Sequence, residues 1–265
     1  MEGHVLFKPL PSRLNERQIE IVNEIRKHSA VRVSELSKLF NVSEETIRRD
    51  FERLESHDLL TRTHGGAILP NLQTSTEIPV IKRKEKNISE KKKIAYKAAG
   101  FVDDGDVIAI DASTTTLMMV KYLKGKHITV VTNSILVTLE LSTETNMKVM
   151  LVGGYLAQES MSLVGDFAQR VIQNYHVDKF FYSCMGIDKD RGVSEIDESQ
   201  AIIKNQFIDI CAEQFLLLDH SKFGIKSLVK LIDIEDVDHI IADNQITRNQ
   251  LKELEQSGVK VHEVV

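Results

Sequence analysis

The chain has 265 residues, of which 42% are hydrophobic and 28% charged, with a formal net charge of −5, two cysteines and no tryptophan. This balance can bury one sizeable core or two smaller ones and excludes a disordered chain. The longest apolar runs, such as those ending at Asp111 and Asp219, fall well short of the roughly 18–20 residues that a membrane-spanning helix needs, so no membrane partner is expected.

The N-terminus lacks a basic start followed by an apolar core and a small-residue cleavage site, which predicts a cytoplasmic location. Cys184 and Cys211 lack CxxC spacing and sit in apolar stretches, so they read as buried free thiols; the nine histidines are scattered singly, and no metal or cofactor is expected. The net charge hides an uneven distribution. Residues 1–70 hold 11 Lys+Arg against 11 Asp+Glu, residues 71–93 hold 7 against 3, and residues 94–265 hold 16 against 25. Contacts to nucleic-acid phosphates would therefore come from the first 93 residues.

Taken in chain order, Asn15 and Gln18 form a capping-box-like start, with Leu14, Ile21, Val22 and Ile25 on one face of a helix ending near His28. A short strand is predicted over 30–33, after which Ser34 is expected to cap a second helix carrying Leu36, Leu39 and Phe40. Asn41 and Val42 make a turn, and Ser43 caps a third helix running to about His57, with Glu44 and Glu45 in the first turn, where the helix dipole favours anions. Leu59 and Leu60 lead through Arg62 and His64 to Gly65 and Gly66, which punctuate a hairpin that reads as a wing.

On the third helix, Ile47, Phe51 and Leu54 form the core stripe, and Glu45, Thr46, Arg49, Glu52 and Arg53 lie opposite, with Arg48 on the flank. Arginine reads guanine bidentately, glutamate accepts from cytosine, and a helix fits the major groove. Arg62 and His64 suit phosphates or the minor groove. A solvated helix with intrahelical Glu–Arg pairs explains the same face taken alone; the preceding helix, the tight turn and the hairpin favour DNA.

Residues 71–88 lose periodicity and become basic, which reads as a linker between a domain at 13–70 and another at 89–265. In the second domain, strands near 107–111, 128–132, 147–152, 179–184, 214–218 and 238–242 alternate with helical patterns, predicting a layered α/β fold with a mostly parallel sheet. Polar or glycine-containing motifs follow the strands: Asp111, Ser113, Thr114, Thr115 and Thr116; Thr132, Asn133 and Ser134; Gly153 and Gly154; Gly186 and Asp188; Asp219 and Lys222. In a parallel sheet they should converge at the carboxyl ends of the strands, where hydroxyls, N–H groups and a lysine suit an anion or phosphate. Singly, the hydroxyls read equally as helix caps, the glycines as turns and Lys222 as a surface residue.

The segment VSELSKLFNVSEETIRRDFERLESHDLLTRTHGGA, residues 33–67, resembles the winged helix-turn-helix of the DeoR family of bacterial transcription regulators. The resemblance places the helix-turn-helix at about 31–50 and the recognition helix at 43–57, and implies DNA contacts from Ser34, Ser43, Glu45, Thr46, Arg48, Arg49, Arg53, Arg62, His64 and Gly65. It continues through the second domain, where it implies a fold similar to ribose-5-phosphate isomerase that senses a sugar phosphate, with Lys204 joining the motifs above. Two positions depart from the family pattern: Ser113 stands where glycine is usual, and Gln200 where an acidic residue commonly precedes Lys204 by four positions. The leading expectation is a repressor of a carbohydrate-metabolism operon, released from double-stranded operator DNA by a small phosphorylated metabolite. A homodimer or homotetramer would match palindromic operators. The alternative is a sugar-phosphate isomerase-like enzyme with an appended DNA-binding module, drawing on Asp111, Asp188, Lys204 and Asp219.

Overall fold

The computed structural model describes residues 14–28, 30–57, 59–63, 65–68 and 78–264. The chain divides into two compact units, Met1–Thr74 and Ser75–Val265.

The first unit runs α1 (Glu16–His28), β1 (Ala30–Arg32), α2 (Val33–Leu39), α3 (Glu44–Ser56), β2 (Thr61–Thr63) and β3 (Gly66–Ile68), with the strands in the order β1-β3-β2. Asn15 and Gln18 form the reciprocal cap: Gln18 N donates to Asn15 Oδ1 at 2.9 Å and Asn15 N to Gln18 Oε1 at 3.2 Å. Ile21, Val22 and Ile25 pack with Leu36 and with Ile47, Phe51 and Leu54 in one core. Ser34 is not the cap of α2. The helix starts directly from β1 with Arg32 at its N-cap and no side-chain cap, and Val33 N donates to Gly65 O at 3.0 Å, so the hairpin turn supplies an acceptor at the helix start. Leu39, expected on the buried stripe, is 61% exposed. A Cβ on Gly66 would lie 2.1 Å from the Val31 carbonyl oxygen, so only glycine lets β3 lie this close to β1. His64 and the linker segment 71–77 lie outside the described residues.

The second unit opens with α4 (Val80–Lys84) and α5 (Ile88–Ala99), then β4 (Val107–Ile110), α6 (Thr114–Val120), β5 (Thr129–Thr132), α7 (Ile135–Leu141) and β6 (Lys148–Leu151). There follow β7 (Tyr155–Ala157), β8 (Ser162–Val164), α8 (Asp166–Ile172), β9 (Val177–Tyr182), β10 (Gly186–Asp188), β11 (Gly192–Glu195) and α9 (Glu198–Ile210). The chain ends with β12 (Cys211–Leu218), β13 (Val229–Ile232), β14 (His239–Asp243), α10 (Arg248–Gln256) and β15 (Lys260–Val264). Seven parallel strands form a sheet ordered β15-β14-β12-β9-β4-β5-β6, with apolar clusters on its faces. From β4 the chain moves outward through β5 to β6, then returns to place β9 on the other side of β4. The order reverses between β4 and β9, and a ligand crevice in such a sheet forms outside the carboxyl ends at that reversal.

Residues 80–88 are not linker. Val80 is buried and its N–H donates to Glu159 O at 2.7 Å, and α4 joins α5 through Asn87, at φ 49°. The apolar anchor is a single valine in a basic run, which hides the helix from a periodicity reading.

Candidate functional site

On α3, Ser43 Oγ accepts from Thr46 N at 3.2 Å and lies 2.8 Å from Thr46 Oγ1, so the two residues fix the start of the helix. Glu45 and Arg49 point outward, 3.5 Å apart, with 65% and 77% of their side chains exposed; Arg48 pairs with Glu44 at 3.1 Å. Arg53 and Gly65 are exposed, as is Ser34 in the first turn of α2. Arg62 is different: its Nε donates to Glu55 at 2.8 Å, its Nη1 to Glu52 at 2.9 Å, and its backbone N–H to Glu55 at 2.9 Å. It ties the wing to the third helix. Asp50, unremarked in the sequence reading, is buried and accepts from Arg17 Nε at 2.6 Å and Gln18 Nε2 at 2.9 Å, locking α3 to α1.

In the second unit, Asp111 follows β4 and is 1% exposed. Its Oδ1 accepts from Ser113 N at 3.0 Å and Thr116 Oγ1 at 2.7 Å, and its Oδ2 accepts from Ser183 N at 3.1 Å across the reversal point. Ser113 caps α6. Thr114 and Thr115 are buried, yet their hydroxyls make no hydrogen bond among the described residues, whereas that of Thr116 is used internally. Lys204, from α9, lies 3.2 Å from Asp111 Oδ2, donates to Ser183 O at 2.6 Å and pairs with Glu195. Burial opposes its charge, but Glu195 and Asp111 outweigh that and raise its pKa above the usual lysine range. A lysine held protonated cannot act as a general base at neutral pH.

Two strands away, Asp219 follows β12 and accepts from Asn87 Nδ2 at 2.9 Å and from Ser221. Burial raises its pKa, but Lys222, Ser221 and Lys91 outweigh this and hold the carboxyl below its usual range. Lys91 is 5% exposed and its Nζ donates to Arg83 O at 2.7 Å. Burial pushes it down to about 8, Asp219 pulling up while Lys222, Arg83 and Lys86 push further down. The sequence carried a signal for it: Lys91 shares the stripe of Ile94, Ala95, Ala98 and Ala99, the buried face of α5.

The remaining motif residues mostly hold the scaffold. Thr132 Oγ1 donates to Ile110 O at 2.6 Å and accepts from Ser134 N at 3.0 Å; Ser134 caps α7, and Asn133 Nδ2 donates to Leu163 O at 3.3 Å. A Cβ on Gly153 would meet the Phe167 ring at 2.6 Å, and one on Gly154, at φ 135°, the Val164 carbonyl oxygen at 2.4 Å, so both glycines serve close packing. Gly186 and Asp188 are not a strand-end turn. They form β10, antiparallel to β11, and Asp188 Oδ1 accepts from the N–H groups of Asp190 and Arg191 and pairs with Lys226 at 3.2 Å. Gln200 is buried and donates to Ser160 Oγ at 2.9 Å and Ser162 Oγ at 2.7 Å, joining α9 to β8.

The profile described as the DeoR-like helix-turn-helix domain matches residues 17–73, and that of the DeoR C terminal sensor domain matches residues 86–244. The chain belongs to the DeoR family. Similar proteins include the HTH-type transcriptional regulator YulB of Bacillus subtilis, 42% identical, covering 93% of this chain and 95% of that protein. The HTH-type transcriptional repressor GlcR of Bacillus subtilis is 32% identical, covering 93% and 95% respectively, and the L-fucose operon activator of Haemophilus influenzae is 31% identical, covering 93% and 98%. Ribose 5-phosphate isomerase A from Methanocaldococcus jannaschii superposes over 53% of this chain and 56% of its own, with 16% identity and a TM-score of 0.40. DeoR-family proteins are DNA-binding transcription regulators, and this chain is one of them; the enzyme alternative has no support among these relatives. No helix among the described residues is long and apolar enough to cross a membrane.

Proposed function

We propose that this DeoR-family regulator represses a carbohydrate-metabolism operon in the cytoplasm, as a homodimer or homotetramer, and leaves its operator when the second unit binds a sugar phosphate. The observation that carries the reading is the positive charge at the carboxyl edge of the sheet, where buried Lys91 feels the charges of Lys222, Arg83 and Lys86 as well as that of Asp219. Buried like charge is costly unless an anion offsets it. The hydroxyls of Thr114 and Thr115, beside the reversal point, remain as donors for phosphate or sugar oxygens. The relative named as the L-fucose operon activator supports regulation of a sugar operon, and the relative named as the transcriptional repressor GlcR supports repression.

Thr115→Val and Lys222→Ala are expected to keep wild-type operator affinity without effector and to need roughly 5- to 150-fold more sugar phosphate for release, because an unpaired phosphate contact costs about 1–3 kcal/mol. Anisotropy titrations at fixed salt measure both quantities; release of both variants at the wild-type effector concentration would sink the assignment. Effector binding is also expected to depend on pH. Lys91 loses its proton as pH rises through about 8, and a phosphate monoester loses its second charge below about pH 6. Affinity should therefore be greatest between these limits and fall by up to about tenfold per unit above the upper one, as calorimetry across pH 6–9.5 will show; a flat profile in wild type would exclude Lys91 from the pocket.

A further inference from the structure

The second unit is acidic overall, yet residues 80–97 hold eight Lys+Arg against two Asp+Glu, while residues 98–265 hold 15 against 25. Two of these cations face inward: Lys91 is buried, and so are the Nε and Nη2 atoms of Arg83. Lys82 and Lys84 on α4 and Lys92, Lys93 and Lys97 on α5 are exposed. The ammonium groups of Lys82, Lys84, Lys92 and Lys93 make no ion pair among the described residues; exposed lysines elsewhere in the unit that also lack one, such as Lys148, Lys189, Lys252 and Lys260, are scattered along the chain rather than clustered. Tyr96, 69% exposed, stands among them with its ring edge-on to Tyr122 at 5.4 Å, and Lys121 lies over the Tyr122 ring at 4.7 Å. Lys92 to Lys97 covers about 7.5 Å of helix axis, given a rise of about 1.5 Å per residue.

We infer that the exposed lysines of α4 and α5 form a second nucleic-acid surface, holding the phosphate backbone of duplex DNA that flanks the operator. Lysines without carboxylate partners offer a polyanion charge that no neighbour already offsets, and release of condensed counterions supplies the binding free energy. Point charges on flexible stems, with no arginine fork among the exposed group, suit sequence-independent contact with phosphates. The rest of the unit carries a net negative charge, so the duplex is drawn to the side where these lysines cluster. None of these lysines belongs to the winged helix or to the pocket around Lys91 and Lys222.

The inference rests on the operator reading, and the two fail separately. The test compares full-length wild type with the Lys82→Gln/Lys84→Gln/Lys92→Gln/Lys93→Gln variant on a short operator fragment and on one carrying long flanks, across a salt series. Wild type should bind the long fragment at least tenfold more tightly. The variant should lose that gain, and its slope of log K against log salt on the long fragment should be shallower by about 0.9 for each phosphate contact removed. Its affinity for the short fragment, its melting temperature and its response to sugar phosphate should be unchanged. Normal binding of the short fragment with no dependence on flank length and equal slopes would overturn the inference alone, whereas failure of wild type to bind any operator fragment would overturn the operator reading with it. A variant altered only in oligomeric state by sedimentation, with an unchanged salt slope, would assign these lysines to another protein surface and would also overturn the inference.

Discussion

Lys204→Met is expected to destabilise the second unit by about 3–5 kcal/mol, because it removes the cation from between two buried carboxylates. Asp111 is 1% exposed and Glu195 7%, and both are held by the same ammonium. Methionine keeps most of the volume and none of the charge. For a unit of this size, each kcal/mol lowers the melting temperature by about 2–4 °C, so a fall of roughly 6–20 °C is expected in calorimetry. Adding Glu195→Gln to the variant should recover part of the loss by removing one of the two charges. An unchanged melting temperature would show that Lys204 does not neutralise the pair.

Arg49→Ala carries the largest effect expected on DNA. Its guanidinium lies opposite the Ile47, Phe51 and Leu54 stripe, with 77% of the side chain exposed, and its partner Glu45 is also largely exposed, so nothing in the fold depends on the pair. The variant should melt with wild type and lose roughly 1–3 kcal/mol of operator affinity, with relaxed preference at one base pair. Undiminished footprint protection would exclude this face from the major groove. Arg62→Ala should behave differently: its three contacts to Glu52 and Glu55 are internal, so its loss loosens the wing and weakens binding to all sequences alike.

Features set by local sequence were legible. Ser43 as cap, the apolar stripe of α3, the glycine hairpin and six of the parallel strands all arise within a few residues of one another. Features set by partners far along the chain were not. Asp50 lies beside two arginines in sequence and gives no sign that α1, more than thirty residues earlier, will bury it. Lys204 meets Asp111, 93 positions away, and Glu195 had no signal until β11 brought it there. The edge strand β15, two of whose five residues are exposed, and the short pairs β7–β8 and β10–β11 were too brief to show a period. Lys91 and Asn87 were obscured because a run of lysines reads as solvated until the helix axis is known.

The Arg62 clamp has a consequence for how release would be felt along the operator. With Glu52 and Glu55 of α3 holding β2, the recognition helix and the wing move as one body, and an effector acting in the other unit has little leverage on the groove contacts within a half-site. In a homo-oligomer, what the effector can change is the distance and phase between two such bodies. Release should then be partly undone on operators whose central spacer has been lengthened or shortened, while the preferred bases within each half-site stay the same.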